Sequence, residues 1–153
     1  MRSRKGFTMV ELLVTLAIIG ILFATAVPVY RTWQQRAFGS EAEIMLKQLI
    51  NSEIAYYLEH DVYFKEGERL SVWHDSEEPA GAAKDISDNL NVLIPQGHYI
   101  DYDLYSEGDS FFLIISSSPA AGFDIFKDTP QIYAQLDKDG NVTIEYARKP
   151  ESE

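Results

Sequence analysis

The chain contains no cysteine. That excludes disulfide staples in any exported part, thiol redox chemistry, cysteine-ligated zinc and a lipid-acylated cysteine anchor. Histidine is scarce: His60, His74 and His98 stand alone, and no H-E-x-x-H pattern joins any of them to a glutamate. Walker loops and G-x-S-x-G elbows are missing as well. Asp and Glu are plentiful, but no spacing singles out a catalytic pair, so neither enzyme activity nor a cofactor is expected. Basic residues are few, with 13 Lys and Arg against 24 Asp and Glu, a net charge of −11. Three of the 13, Arg2, Arg4 and Lys5, lie together ahead of the first acidic residue, so the remainder stands at −14. Such an acidic chain repels phosphates and shows no basic patch, so no nucleic-acid partner is expected.

What is abundant is apolar, and it is concentrated. Every residue from Leu12 to Val27 is apolar, Gly or Thr, and the longer stretch Phe7–Tyr30 adds one charged residue, Glu11. Those 24 residues span roughly 36 Å at about 1.5 Å per helical residue. A hydrocarbon core of about 30 Å can be crossed at that length. The basic flank should stay in the cytoplasm, giving a single membrane pass with the remainder outside.

Three readings compete for residues 1–30. A cleavable secretory signal has the basic start and apolar centre, and Ala24-Thr25-Ala26 resembles its small-residue site. Against it, Glu11 interrupts the apolar stretch, and the helical pattern continues through Pro28 into residues 29–58. A plain single-span anchor gives Glu11 no purpose, although a carboxylate in a membrane helix costs about 2.5–3.5 kcal/mol at the centre and less near the end. The third reading rests on Arg4-Lys5-Gly6-Phe7-Thr8-Met9-Val10-Glu11-Leu12-Leu13. This stretch resembles the cleavage and methylation motif of type IV prepilins and pseudopilins. The resemblance covers about residues 1–60 and extends to Gly20 and Pro28, where many members carry Gly and Pro in the same helix.

The resemblance implies that a membrane-embedded aspartic prepilin peptidase cuts the Gly6–Phe7 bond at the cytoplasmic face, and that Phe7 is then N-methylated. Gly6, lacking a side chain, suits close approach of a protease to the backbone. Glu11, at the fifth position after the cut, is implied to pair with the N-terminal amine of a neighbouring subunit. A buried pair of this kind fixes register rather than adding stability. Pro28 lacks an N–H and clashes with the carbonyl four residues earlier, and Gly20, Thr25 and Val27 before it are weak helix formers. Either this is a plain kink at the membrane exit, or, as the resemblance implies, a helix break that lets a filament extend.

Beyond Pro28 the pattern turns amphipathic. Phe38, Ala42, Met45, Leu46, Leu49, Ile50, Ile54, Tyr57 and Leu58 recur at steps of three and four, with Ser40, Glu41, Glu43, Lys47, Asn51 and Ser52 on other faces. One helix is expected from about Phe7 to about Leu58, roughly 78 Å long. A compact domain of this size has no need for such a helix, whereas a filament does. Tyr30 and Trp33 suit either the headgroup level of a membrane or subunit packing. Tyr56, Tyr57, Tyr63 and Phe64 at the helix end read as core packing rather than an electron path.

Residues 59–98 read as a variable loop, punctuated by Gly67, Pro79, Gly81, Pro95 and Gly97, with a solvated Glu77-Glu78 and a short helix around Ile86–Leu93. Strand patterns follow at Tyr99–Tyr105, Ser110–Ser116, Ile132–Asp137 and Val142–Ala147, with turns at Glu107-Gly108-Asp109 and Lys138-Asp139-Gly140-Asn141. Three or four antiparallel strands on the helix are expected. Asp137, Asp139 and Asn141 invite calcium, but Gly140 comes too early for an EF-hand loop and no Glu stands at the twelfth position; a hairpin turn accounts for them, and no metal site is assigned. Asp139-Gly140-Asn141-Val142-Thr143 also fits a bacterial N-glycosylation pattern, and Ser116-Ser117-Ser118 is either a glycan site or a loop.

The fold class is therefore α+β of type IV pilin-like form: a leader at 1–6, a transmembrane and filament-core helix at 7–30, and an extracytoplasmic head at 31–153 that includes the second half of the helix. By resemblance the chain is a structural subunit of a type IV pilus or a type II secretion or competence pseudopilus. Its implied partners are copies of itself or other pilins, the prepilin peptidase, an inner-membrane assembly platform with its cytoplasmic ATPase, and the membrane before assembly. Its final location would be a cell-surface pilus (fimbrium) or a periplasmic pseudopilus. The missing cysteines depart from the many pilins whose C-terminal region is closed by a disulfide. The rival class is a single-span membrane-anchored or secreted binding domain that never polymerises.

Overall fold

The structure is a computed structural model that describes residues 6–74, 79–95, 99–122, 129 and 131–147, the side chains of 79 and 80 excepted. The basic residues of the leader, Glu77-Glu78, Gly97 and His98 lie outside the described residues. In chain order the elements are helix α1 (Met9–His60), strand β1 (Arg69–Val72), helix α2 (Pro79–Leu90), strands β2 (Ile100–Glu107) and β3 (Ser110–Ser117), a 3₁₀ turn at Pro119–Ala121, and strands β4 (Gln131–Asp137) and β5 (Val142–Ala147). The chain divides into two units, 1–34 and 35–153.

In the first unit, α1 is apolar all round and uncovered. None of its most apolar window is buried, and it is the one helix among the described residues long and apolar enough to cross a membrane. In the second unit the same helix becomes two-faced. Ala42, Met45, Leu46, Leu49 and Ile50 are buried in the core. Lys47, Gln48 and Asn51 remain exposed. This stripe, at steps of three and four, is what lets a helix seal one side of a sheet.

The sheet is antiparallel throughout, in the order β1-β2-β3-β4-β5. Side chains alternate across it. Phe111, Leu113 and Ile115 of β3 and Ile132, Ala134 and Leu136 of β4 point inward and are buried with the α1 stripe. Ser110, Phe112 and Ile114 occupy the other face and are half-buried. Gly108 (φ 59°) and Gly140 (φ 81°) supply the left-handed residues of the two hairpin turns.

The four strands expected between 99 and 147 are present, each within two residues of its expected ends. Residues 59–98 need correction. They hold a fifth strand, β1, and a helix that runs Pro79–Leu90 rather than Ile86–Leu93. β1 is four residues long and offers little pattern of its own; its partner defines it. Arg69 lies opposite Tyr105, and Ser71 lies opposite Asp103 and donates its hydroxyl to that carboxylate. The Arg69 guanidinium closes on the same carboxylate at 3.2 Å. In α2, Pro79 sits at the first helical position, where its missing N–H costs nothing. Ala83, Ile86 and Leu90 form its buried face, and Asn91 in left-handed geometry (φ 53°) stops it before Val92.

Leu58 is a second correction, being 78 % exposed rather than part of the stripe. At the end of α1, Tyr57 takes the inward direction and packs against Tyr63 at 4.6 Å. Leu49→Ala should therefore destabilise the full chain in detergent micelles by about 2–5 kcal/mol, and Leu58→Ala by less than about 0.5 kcal/mol. Denaturant unfolding followed by tryptophan fluorescence and circular dichroism checks both.

Candidate assembly site at the N-terminal helix

α1 begins with a reciprocal cap. The Thr8 backbone N–H and hydroxyl both donate to Glu11 Oε2, at 2.8 and 2.7 Å. In return the Glu11 N–H donates to Thr8 Oγ1 at 3.3 Å. This is a capping box, in which an N-cap hydroxyl and the carboxylate three residues on satisfy each other's backbone donors. The carboxylate also sits in the first helical turn, where the helix dipole favours negative charge. Glu11 thus has a local partner. The signal, Thr8-x-x-Glu11, is visible in the sequence, where it overlaps the cleavage motif.

The other residues singled out lie along the same segment. Gly6 and Phe7 precede the helix and are exposed, Phe7 by 76 %. A Cβ added at Gly6 or at Gly20 would meet no atom within 4 Å. The helix runs unbroken through Gly20 and Pro28 in this structure. Pro28 nonetheless leaves the Ala24 carbonyl without its usual donor. Just before it Thr25 donates its hydroxyl to the Leu22 carbonyl at 3.0 Å, and just after it Thr32 donates to the Pro28 carbonyl at 3.1 Å. Such back-bonding slightly weakens and bends helices. Tyr30 and Trp33 are both exposed.

In the head, the candidates at the β4–β5 turn form a hairpin cap. Asp137 Oδ1 accepts from the N–H groups of Asp139 and Asn141, at 3.0 and 2.8 Å, and its Oδ2 accepts from Asn141 Nδ2 at 2.9 Å. The nitrogen a glycan would occupy is thus already engaged. Among the described residues no group of three or more Asp, Glu or His is placed to hold a metal ion. Lys138 meets Asp109 of the β2–β3 turn at 2.8 Å, tying the two hairpin ends together. The aromatic cluster at the end of α1 is packing: Tyr57 on Tyr63, and Tyr63 on Phe111 at 6.1 Å.

Residues 1–27 match the family described as the prokaryotic N-terminal methylation motif. The chain is 34 % identical over 90 residues to a type IV major pilin protein PilE of Neisseria gonorrhoeae, covering 59 % of this chain and 54 % of that one. It is 36 % identical over 85 residues to a type IV major pilin protein PilE1 of the same organism, covering 56 % and 35 %. With the type IV major pilin protein PilA of Myxococcus xanthus it shares 42 % over 59 residues, covering 39 % and 27 %. The matched part spans about a third to a half of the length of the first two relatives. No solved structure matches the chain.

A Gly–Phe junction, a capped and uncovered apolar helix, and an amphipathic continuation bearing a small antiparallel sheet define a helix-anchored α+β protein. Over 85 to 90 of its residues the chain is similar to type IV major pilins, and its first 27 carry the N-terminal methylation motif.

The hairpin cap gives a test by acid. Hydrogen bonds from Asn141, side chain first and then backbone, hold the Asp137 carboxyl below its ordinary value of 3.8. Its contribution to the hairpin is therefore full above that value and is lost as pH falls through the lowered one. Hydrogen exchange should show the Asn141 amide losing protection in acid while β2–β3 amides keep theirs. Asp137→Ala should produce the same local loss at neutral pH.

Proposed function

We propose that this chain is a structural subunit of a type IV pilus or related pseudopilus, cut between Gly6 and Phe7, N-methylated at Phe7, and polymerised through α1. The observation that carries the reading is an apolar helix with no protein cover, interrupted by one carboxylate five positions after the Gly–Phe junction. A subunit held this way waits in the inner membrane with its N-terminus on the cytoplasmic side. Hydrolysis of the Gly6–Phe7 bond by a prepilin peptidase releases the leader and leaves an amine at Phe7.

Before assembly, Thr8 satisfies Glu11 locally. On assembly, the Phe7 amine of a neighbouring copy supplies a full opposite charge, which the Thr8 hydroxyl and amide do not. Partner choice and axial register follow from that pair, while close packing between the apolar helices holds the subunits together. Gly20 and Pro28 are the places where the helix gives way when the filament is drawn out. A cell-surface pilus is favoured over a secretion pseudopilus because the matching relatives include proteins named as major pilins and fimbrial proteins.

Intact mass and N-terminal sequencing of the protein from a sheared surface fraction test the processing step. A start at methylated Phe7 is expected. An uncut Met1 in a host with active peptidase, or a start at Val27, would leave an anchored or secreted domain instead. Glu11→Ala should be processed normally and accumulate in the membrane, with surface filaments reduced at least tenfold by electron microscopy. Filaments at wild-type level would remove Glu11 from the assembly site.

A further inference from the structure

The turn that follows α1 is held by a buried acid that lies outside the proposed assembly site. Glu53 is buried with none of its surface exposed, on the inner face of α1. Its Oε1 accepts the backbone N–H of Phe64 at 2.7 Å, eleven residues away, and its Oε2 has no hydrogen-bond partner. The turn that carries Phe64 is bounded at each end by a non-glycine residue in left-handed geometry, Asp61 (φ 58°) and Lys65 (φ 55°). Such residues hold that conformation at a cost, and only when the surroundings impose it. Here the surroundings are two buried aromatic rings, Tyr63 and Phe64, and one carboxyl group.

We propose that Glu53 is a proton-operated latch: with the carboxyl neutral the 61–65 turn stays closed on the sheet, and loss of the proton lets the turn open and expose Tyr63 and Phe64.

The physical reason is asymmetric solvation. A neutral carboxyl loses little on burial and still offers its carbonyl oxygen to the Phe64 amide. A carboxylate buried with one oxygen unpartnered is unfavourable, and it recovers hydration when the turn lifts. The neighbours do not relieve it. Burial first, and then Tyr57 of α1, Asp137 of β4, Glu53 itself and Asp109 of the β2–β3 turn, raise the Tyr63 hydroxyl to about 12. Lys138 is engaged with Asp109. Lys65 reaches outward to Asp85 at 3.3 Å. His60 stacks on Tyr56, which meets Phe64 edge-on at 5.6 Å.

Burial lifts the Glu53 carboxyl from an ordinary 4.5 to about 7, against the smaller opposing effect of the Phe64 amide. A raised value in the closed turn means that closure is fully favoured below 4.5. The preference is lost progressively as pH rises to about 7, and is level above.

The test is hydrogen exchange of the Phe64 amide by NMR, on the full chain in detergent micelles between pH 4 and 8.5, after the intrinsic pH dependence of exchange is divided out. Protection should fall about tenfold per pH unit from about 4.5 to about 7, roughly 300-fold in all, and then level off. In Glu53→Gln, whose amide oxygen keeps the Phe64 bond without an ionisable proton, the profile should be flat. A flat wild-type profile, or an unchanged slope in Glu53→Gln, would overturn the latch. Should Glu53→Gln fail to fold, the carbon shift of the Glu53 carboxyl in the wild type decides. A midpoint near 7 that tracks Phe64 protection supports it, and a midpoint near 4.5 overturns it.

Discussion

Water is a poor solvent for residues 12–27, and within the first unit of the chain no other element covers them. That stretch has no polar face to turn outward, so its stable surroundings are lipid or another apolar helix. Most other features of the segment answer to this constraint. Helical hydrogen bonding satisfies the backbone internally, as lipid demands. The two threonines return their hydroxyls to carbonyls one turn back. The one carboxylate stands in the first turn, folded onto Thr8. A segment that lipid and like helices both suit can pass from one to the other without exposing apolar surface to water, as the proposed function requires.

In the second unit the same helix obeys a different rule. From Ala42 to Ile50 it presents a single apolar stripe, and the inner face of the sheet meets it. Close packing of Tyr102, Leu104, Phe111 and Leu113 around that stripe leaves little room for polar atoms, which makes Glu53 conspicuous. It caps a turn that backbone preferences alone would not keep, at the junction where the chain leaves the helix for β1. The residue stabilises a local shape rather than the fold as a whole.

Much of this was legible beforehand because it is written in local, periodic signals. The apolar run, the three-four stripe, the alternation of β3 and β4 and the Asp139-Gly140 turn each depend on neighbours in sequence, and the helix and four strands fell close to their expected places. What escaped is non-local. β1 is a strand because Asp103, 32 residues from Ser71, receives its side chains. Glu53 falls on the apolar stripe by its spacing from Leu49, Ile50 and Tyr57, but what its carboxyl meets there is the Phe64 amide, eleven residues on. Leu58 satisfies the helical period but lies where no strand reaches, and Asn91 stops α2 through a backbone angle that its neighbours do not announce. Thr8 was the exception: its capping signal is local and was hidden only by a stronger motif laid over it.

The strand order of the sheet is the order of the chain, so each of its four ladders joins strands that follow one another in sequence. A meander of this kind has little loop-closure entropy to overcome, and its three central and C-terminal hairpins can nucleate separately before the helix docks. With no cysteine anywhere in the chain, no step in that sequence waits for an oxidant or for disulfide reshuffling, which run over seconds to hours. The head can therefore reach its native state at a pace set by hairpin formation and helix docking, independent of the redox catalysts that limit cysteine-stapled domains.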